Sequence, residues 1–130
     1  MKQKVLLFIF VFSILLTFGC SRKINAVNVN TSECNKAQNQ NTKDGCFLTL
    51  AITNHQDKIC ENIANIYYKG QCYSGVAEVT DNPSLCIKIS SQAPRDFCYS
   101  IIAESLKDKG LCMKIENSSS RENCLSNIEK

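Results

Sequence analysis

The chain has 130 residues, with 15 basic against 12 acidic side chains and a formal net charge of +3. So near a balance offers no polybasic surface of the kind that nucleic acid or an anionic membrane attracts. Nine cysteines and no tryptophan fit a small exported domain held by crosslinks more than by large core residues.

In chain order, Lys2 and Lys4 precede an uncharged, overwhelmingly apolar run of 14 residues, Val5 to Phe18. A membrane-spanning helix needs about 20 apolar residues, so the run predicts a signal-peptide core. Leu16-Thr17-Phe18-Gly19-Cys20 closes it and resembles the bacterial lipobox. Gly19 supplies the small residue that pattern requires, while Thr17 and Phe18 depart from the commoner leucine followed by a small residue. The resemblance implies cleavage before Cys20 and acylation of that cysteine with palmitate-type chains, making it a membrane anchor. Parity agrees: with Cys20 on lipid, eight cysteines remain and can pair. Removal of Lys2 and Lys4 leaves 13 basic residues against 12 acidic ones.

The expected organisation is a signal peptide over 1–19, a lipidated cysteine and polar tether over 20–29, and a helical domain over 30–130. Nine tether residues, 21–29, reach roughly 30 Å when fully stretched. Ser21 stands where many inner-membrane lipoproteins carry Asp, so the resemblance implies the outer membrane if the envelope has two.

The other cysteines fall at 34, 46, 60, 72, 86, 98, 112 and 124. Separations of 12 and 14 alternate strictly, which predicts an ungapped 26-residue repeat over 30–55, 56–81, 82–107 and 108–130. Other columns keep the register. Three residues after each first cysteine come Ala37, Ile63, Ile89 and Ile115. After each second cysteine come Phe47, Tyr73, Tyr99 and Leu125, and three further on Leu50, Val76, Ile102 and Ile128. Ala51, Ala77 and Ala103 follow, with Glu129 in the last unit.

Each unit predicts two helices. Asn30, Asn82 and Asp108 are good N-caps four residues before the first cysteine, and Gln56 is the weak member of that column. Pro83 sits at a first helical position, where it costs no hydrogen bond. The first helix should span eight or nine residues, with Leu85, Cys86 and Ile89 inward. For the second helix, Asn41 with Asp44 and Ser119 with Glu122 have capping-box spacing, and Ala93-Pro94 with Asp96 gives a similar start. Tyr67-Tyr68-Lys69-Gly70 breaks the rule. Cys98, Tyr99, Ile102 and Ala103 show helical rather than strand spacing, and their aromatics read as core. The fold class predicted is all-α, four disulfide-pinned helical hairpins stacked as a short α-solenoid.

Eight cysteines allow over a hundred pairings, but the turn chooses. Two residues equidistant from a hairpin turn face each other at the spacing a disulfide needs, roughly 5.5 Å between Cα atoms. This predicts Cys34–Cys46, Cys60–Cys72, Cys86–Cys98 and Cys112–Cys124. Zinc sites use closely spaced cysteine pairs and none occurs here; no metal or other cofactor is expected.

No catalytic motif is evident. The lone histidine, His55, falls between units and reads as solvated. Asp44, Asp96 and Glu122 read as acids favoured at helix starts. Lys43, Lys69, Arg95 and Arg121 recur in register as a candidate surface row; the simpler reading is a solvated first-turn position paired with the neighbouring acid. The sequons at Asn30 and Asn117 carry no weight in a bacterial envelope protein. Repeat arrays make extended surfaces, so the expected function is a non-catalytic binding or adaptor module with a protein or peptide partner. The alternatives are a small inhibitor or protective protein acting on an envelope hydrolase, and a thiol-redox or enzymatic role.

Overall fold

A computed structural model describes residues 30–129, and every regular element among them is helical. The signal segment expected over 1–19, the lipid on Cys20, the tether over 21–29 and Lys130 lie outside the described residues. In order come α1 (Thr31–Asn35), α2 (Gln40–Asn54), a first 3-10 segment (Asp57–Asn62), α3 (Ile66–Val79), a second 3-10 segment (Pro83–Lys88), α4 (Gln92–Leu106), α5 (Lys109–Cys112) and α6 (Ser118–Ile128).

The first arm of each hairpin is shorter than the eight or nine α-helical residues its sequence predicts. The four arms are single-turn pieces of four to six residues, and two of them are 3-10. Residues three apart eclipse in 3-10 geometry, so Cys60 with Ile63, and Cys86 with Ile89, share one buried side. The chain then leaves the turn at Ile63 and Ile89 in extended backbone, at ψ 124° and 112°. Stopping there frees the following amides for partners outside the arm. Asn30, Asn82 and Asp108 cap their arms by accepting from Ser32, Ser84 and Gly110 amides, and Gln56 makes no such bond.

The long helices begin two residues earlier than the capping-box spacing implies. Their N-caps are Asn39, Asn65, Ser91 and Asn117. Asn39 accepts from the Thr42 amide, Asn65 from those of Tyr67 and Tyr68, and Asn117 from that of Ser120. Asn41 and Ser119 are therefore inside their helices, not capping them. The second module does not break the rule, because its cap is Asn65 rather than a residue of the Tyr67–Gly70 stretch. Ser91 alone starts a long helix without a side-chain cap bond.

The long-helix ends are equally regular. His55, Asp81 and Lys107 adopt positive φ, between 49° and 57°. The next amide closes back on an alanine carbonyl each time: Gln56 to Ala51, Asn82 to Ala77 and Asp108 to Ala103, at 2.9, 2.9 and 3.0 Å. This is the Schellman arrangement. His55, exposed as expected, is a helix-terminating residue.

Phe47, Leu50 and Ala51 on α2 share one stripe, as do Tyr73, Val76 and Ala77 on α3 and Tyr99, Ile102 and Ala103 on α4; all nine are buried. Burying one large residue of this kind contributes about 1.5–3 kcal/mol. The long helices pack in chain order, α2 on α3, α3 on α4 and α4 on α6. Each 3-10 segment, and α5, lies between the long helix before it and the one after. Ile59, Leu85 and Leu111 are accordingly buried. The equivalent residue in α1 is Glu33, which is exposed; among the described residues α1 packs against α2 and no long helix precedes it. At the other end Ile128 is half-buried and Glu129 exposed, since nothing described packs beyond α6.

Four disulfides join each short arm to the long helix that follows: Cys34–Cys46, Cys60–Cys72, Cys86–Cys98 and Cys112–Cys124. Their Cα separations, 5.4 to 5.7 Å, match what two positions facing each other across a turn require. Seven of these cysteines are at most 1% exposed, and Cys46 is only half-buried. Each short loop closed in this way contributes on the order of 3 kcal/mol.

Because Cys46 is the most accessible of the eight paired cysteines, graded reduction should open Cys34–Cys46 first. Trapping thiols with an alkylating agent and mapping the peptides would check this. Simultaneous opening of all four bonds, or earlier loss of another, would contradict it.

Candidate binding face

With the core on one stripe of each long helix and the short arms on another, a third face is left uncovered among the described residues. Positions 45, 71, 97 and 123 lie on it, and three clefts open along it. Gly45 lines the first, on α2, with Thr42, Cys46, Thr49 and Thr53, about 430 Å³. Gln71 and Phe97 line the second, between α3 and α4, about 350 Å³. Phe97 and Asn123 line the third, between α4 and α6, about 650 Å³. Phe97 thus stands on the ridge between two clefts and is 63% exposed. Tyr67, also 63% exposed, borders the second cleft, and its ring is buttressed edge-on by half-buried Tyr68 at 6.3 Å. Exposed aromatics held by their neighbours bring large contact area at small entropic cost.

Two buried carboxylates set the start of the helices that carry this face. Asp44, fully buried, accepts from the amides of Ala64 at 3.0 Å and Asn65 at 2.9 Å. Asp96, 4% exposed, accepts from Glu116 at 2.9 Å and Asn117 at 3.0 Å. Each carboxylate therefore clamps its own helix to the start of the next long helix, including the N-cap that orients Tyr67 in one case and Ser120 in the other. Sequence reasoning placed these acids on their own helix starts. Their partners lie 20 and 21 residues further along. Glu122, the equivalent residue of α6, is exposed, and no later segment meets it among the described residues.

Burial pushes the Asp44 carboxyl up, but the Asn65 and Ala64 amides, the Gln40 side chain and the Lys43 charge together hold it below its ordinary value of 3.8. A carboxylate held low in the folded state contributes stability that is complete above its unfolded pKa. That contribution is lost as pH falls through the lower folded value.

The basic row of Lys43, Lys69, Arg95 and Arg121 is half-buried and faces its own modules. Arg95 donates to the Ile89 carbonyl at 3.0 Å and Arg121 to the Ile115 carbonyl at 3.0 Å, while Lys69 reaches the Glu61 carbonyl at 3.4 Å. These cations close the carbonyl ends of the short arms, where cations are favoured. Arg95 also bridges to Glu116 of the next module at 2.7 Å. Lys43 stands near Asp44 and helps hold its charge.

At the α3–α4 junction the pattern changes. Gly70 occupies the position of Asp44 and Asp96, so no carboxylate reaches the amides of Ser90 and Ser91 from there, and Ser91 adds no cap bond. Gly75 on the same helix lies so close to α2 that a Cβ there would overlap Ile52. Ser74, between them, is 9% exposed, and its hydroxyl is buried without a hydrogen-bond partner. The short-arm side of the junction is tied instead, by the Asp57–Lys88 ion pair at 2.7 Å with Lys88 lying 5.3 Å over the Tyr73 ring. The Lys88 ammonium holds the Asp57 carboxyl below its ordinary range. Gly70, Ser74 and Gly75 all line the second cleft. Ile87 and Met113, exposed on the short arms, line none of the three.

No protein-family model matches this chain, and neither does any curated protein or solved structure.

Asp44→Asn should destabilise the domain by about 2–3 kcal/mol, because an amide group then faces an amide donor. Denaturant titration from pH 2 to 7 should also show a shallower acid limb than the parent; an unchanged limb would count against the clamp. Conversely, a Cβ at Gly70 meets only Ile89 Cγ2 at 3.4 Å and Pro94 Cβ at 3.9 Å. Gly70→Asp should therefore install the absent clamp and raise stability by about 1–2 kcal/mol, read as a higher Tm.

Proposed function

We propose that this protein is a lipid-anchored, non-catalytic binding or adaptor module of a bacterial cell envelope, working as a short α-solenoid of four stacked modules. Its uncovered long-helix face meets a protein or peptide partner. The observation that carries this reading is the set of three clefts sharing one register position on successive long helices, with Phe97 exposed between two of them and Tyr67 exposed beside the second. An extended surface built from one position per module is what a stacked array offers a partner. Aromatic residues exposed beside clefts are typical anchors of such contacts.

The lipobox resemblance at Leu16–Cys20 supports attachment through Cys20, with the outer membrane as the site where the envelope has two. The polar stretch over 21–29 then acts as a tether. All eight remaining cysteines are bonded in pairs, and seven are buried. That favours a structural scaffold over a thiol-redox role.

Photo-crosslinking amino acids at Gln71 and Asn123, with a control at Ile87, would test the face in intact cells. Adducts to the same partner from Gln71 and Asn123 but not from Ile87 are expected, and Phe97→Ala should diminish them while changing the unfolding free energy by no more than about 0.5 kcal/mol. Adducts confined to Ile87, or equal at all three, would remove the reading.

A further inference from the structure

The second cleft is where the chain gives up devices it uses elsewhere. A glycine replaces the clamping carboxylate within the helix, and a serine hydroxyl is buried unpaired. Each is locally unfavourable: mid-helix glycine loses backbone entropy, and a buried polar atom without a partner goes unsatisfied. Local rules broken together on one cleft mark a site more than a scaffold.

We infer that this cleft takes an aromatic or aliphatic side chain from a polypeptide segment that carries a lysine or arginine beside it. This rests on the binding-module reading and names the partner's chemistry. The walls are Tyr67, Pro94, Phe97 and Ile101, and Gly70, where a Cβ would stand beside Pro94, keeps the floor open. That lining suits an apolar side chain of about ordinary core size. Glu78 is the one charged residue lining the cleft; it is exposed and makes no ion pair among the described residues. A basic residue next to the inserted side chain meets that charge, whereas an acidic one is repelled. A ring standing between Tyr67 and Phe97 also leaves its basic neighbour near aromatic faces, where a cation is attracted.

The test uses the isotope-labelled full chain with its four disulfides formed. The probes are two blocked pentapeptides, Gly-Lys-Phe-Lys-Gly and Gly-Glu-Phe-Glu-Gly. Saturable amide shifts are expected at Gly70, Ser74 and Gly75 with the lysine peptide, and about fivefold weaker binding of the glutamate peptide. Glu78→Lys, at an exposed position that leaves the fold intact, should invert the preference. Equal binding of the two peptides, shifts confined to other clefts, or no shifts at all would overturn the inference. The crosslinking result is separate: adducts at Gln71 and Asn123 without peptide binding here would leave the binding module standing and remove only this ligand class.

Discussion

A helical turn of four to six residues cannot persist by itself in water, because nucleation fixes several residues for very few hydrogen bonds. Four such turns open the four modules, and each is held by one sulfur–sulfur bond to the long helix behind it. The crosslink acts in both states: it shortens the free loop of the unfolded chain and fills the centre of the folded module with buried sulfur. Once the arm is fixed, Ile63, Ile89 and Ile115 are delivered to the core at its end. The cations at 69, 95 and 121 can then close the carbonyls that the turn leaves behind.

Order between modules comes from a different source. Apolar stripes bring successive long helices together, but apolar contact is not directional. Direction comes from Asp44 and Asp96, whose two oxygens each meet consecutive amides of the next module. A bidentate bond of that kind fixes register and angle together. The N-caps Asn65 and Asn117 sit at the clamped amides, so each clamp also sets where the uncovered face begins.

Function, in this reading, grows from the one junction without a carboxylate. Between α3 and α4 the short-arm side is pinned by Asp57 and Lys88 while the other side opens into a cleft. Stability and access are thereby separated within a single interface. The same sequence column that clamps the first and third junctions carries only Gly70 at the second.

Much of this was legible in the residues alone. The alternation of 12 and 14 between cysteines, with the geometry of a turn, determined the pairing, and the recurring Phe/Tyr, Leu/Val/Ile and Ala columns determined the buried stripe. The helix starts were misplaced by two residues, although Asn39, Asn65, Ser91 and Asn117 recur 26 apart and could have been read as caps. The partners of the acidic and basic columns were decided only in three dimensions. An aspartate in a first helical turn looks the same in sequence whether it faces its own helix amides or those of a module 20 residues on. Which it meets depends on how far the preceding arm winds and where the next helix docks, and those follow from packing rather than from spacing. The 26-residue columns do separate Phe97 and Tyr67 from the core aromatics, since their equivalents are Gly45, Gln71 and Asn123, and Asn41, Ala93 and Ser119. The exposure of both aromatics follows from which side of the helix the short arms cover.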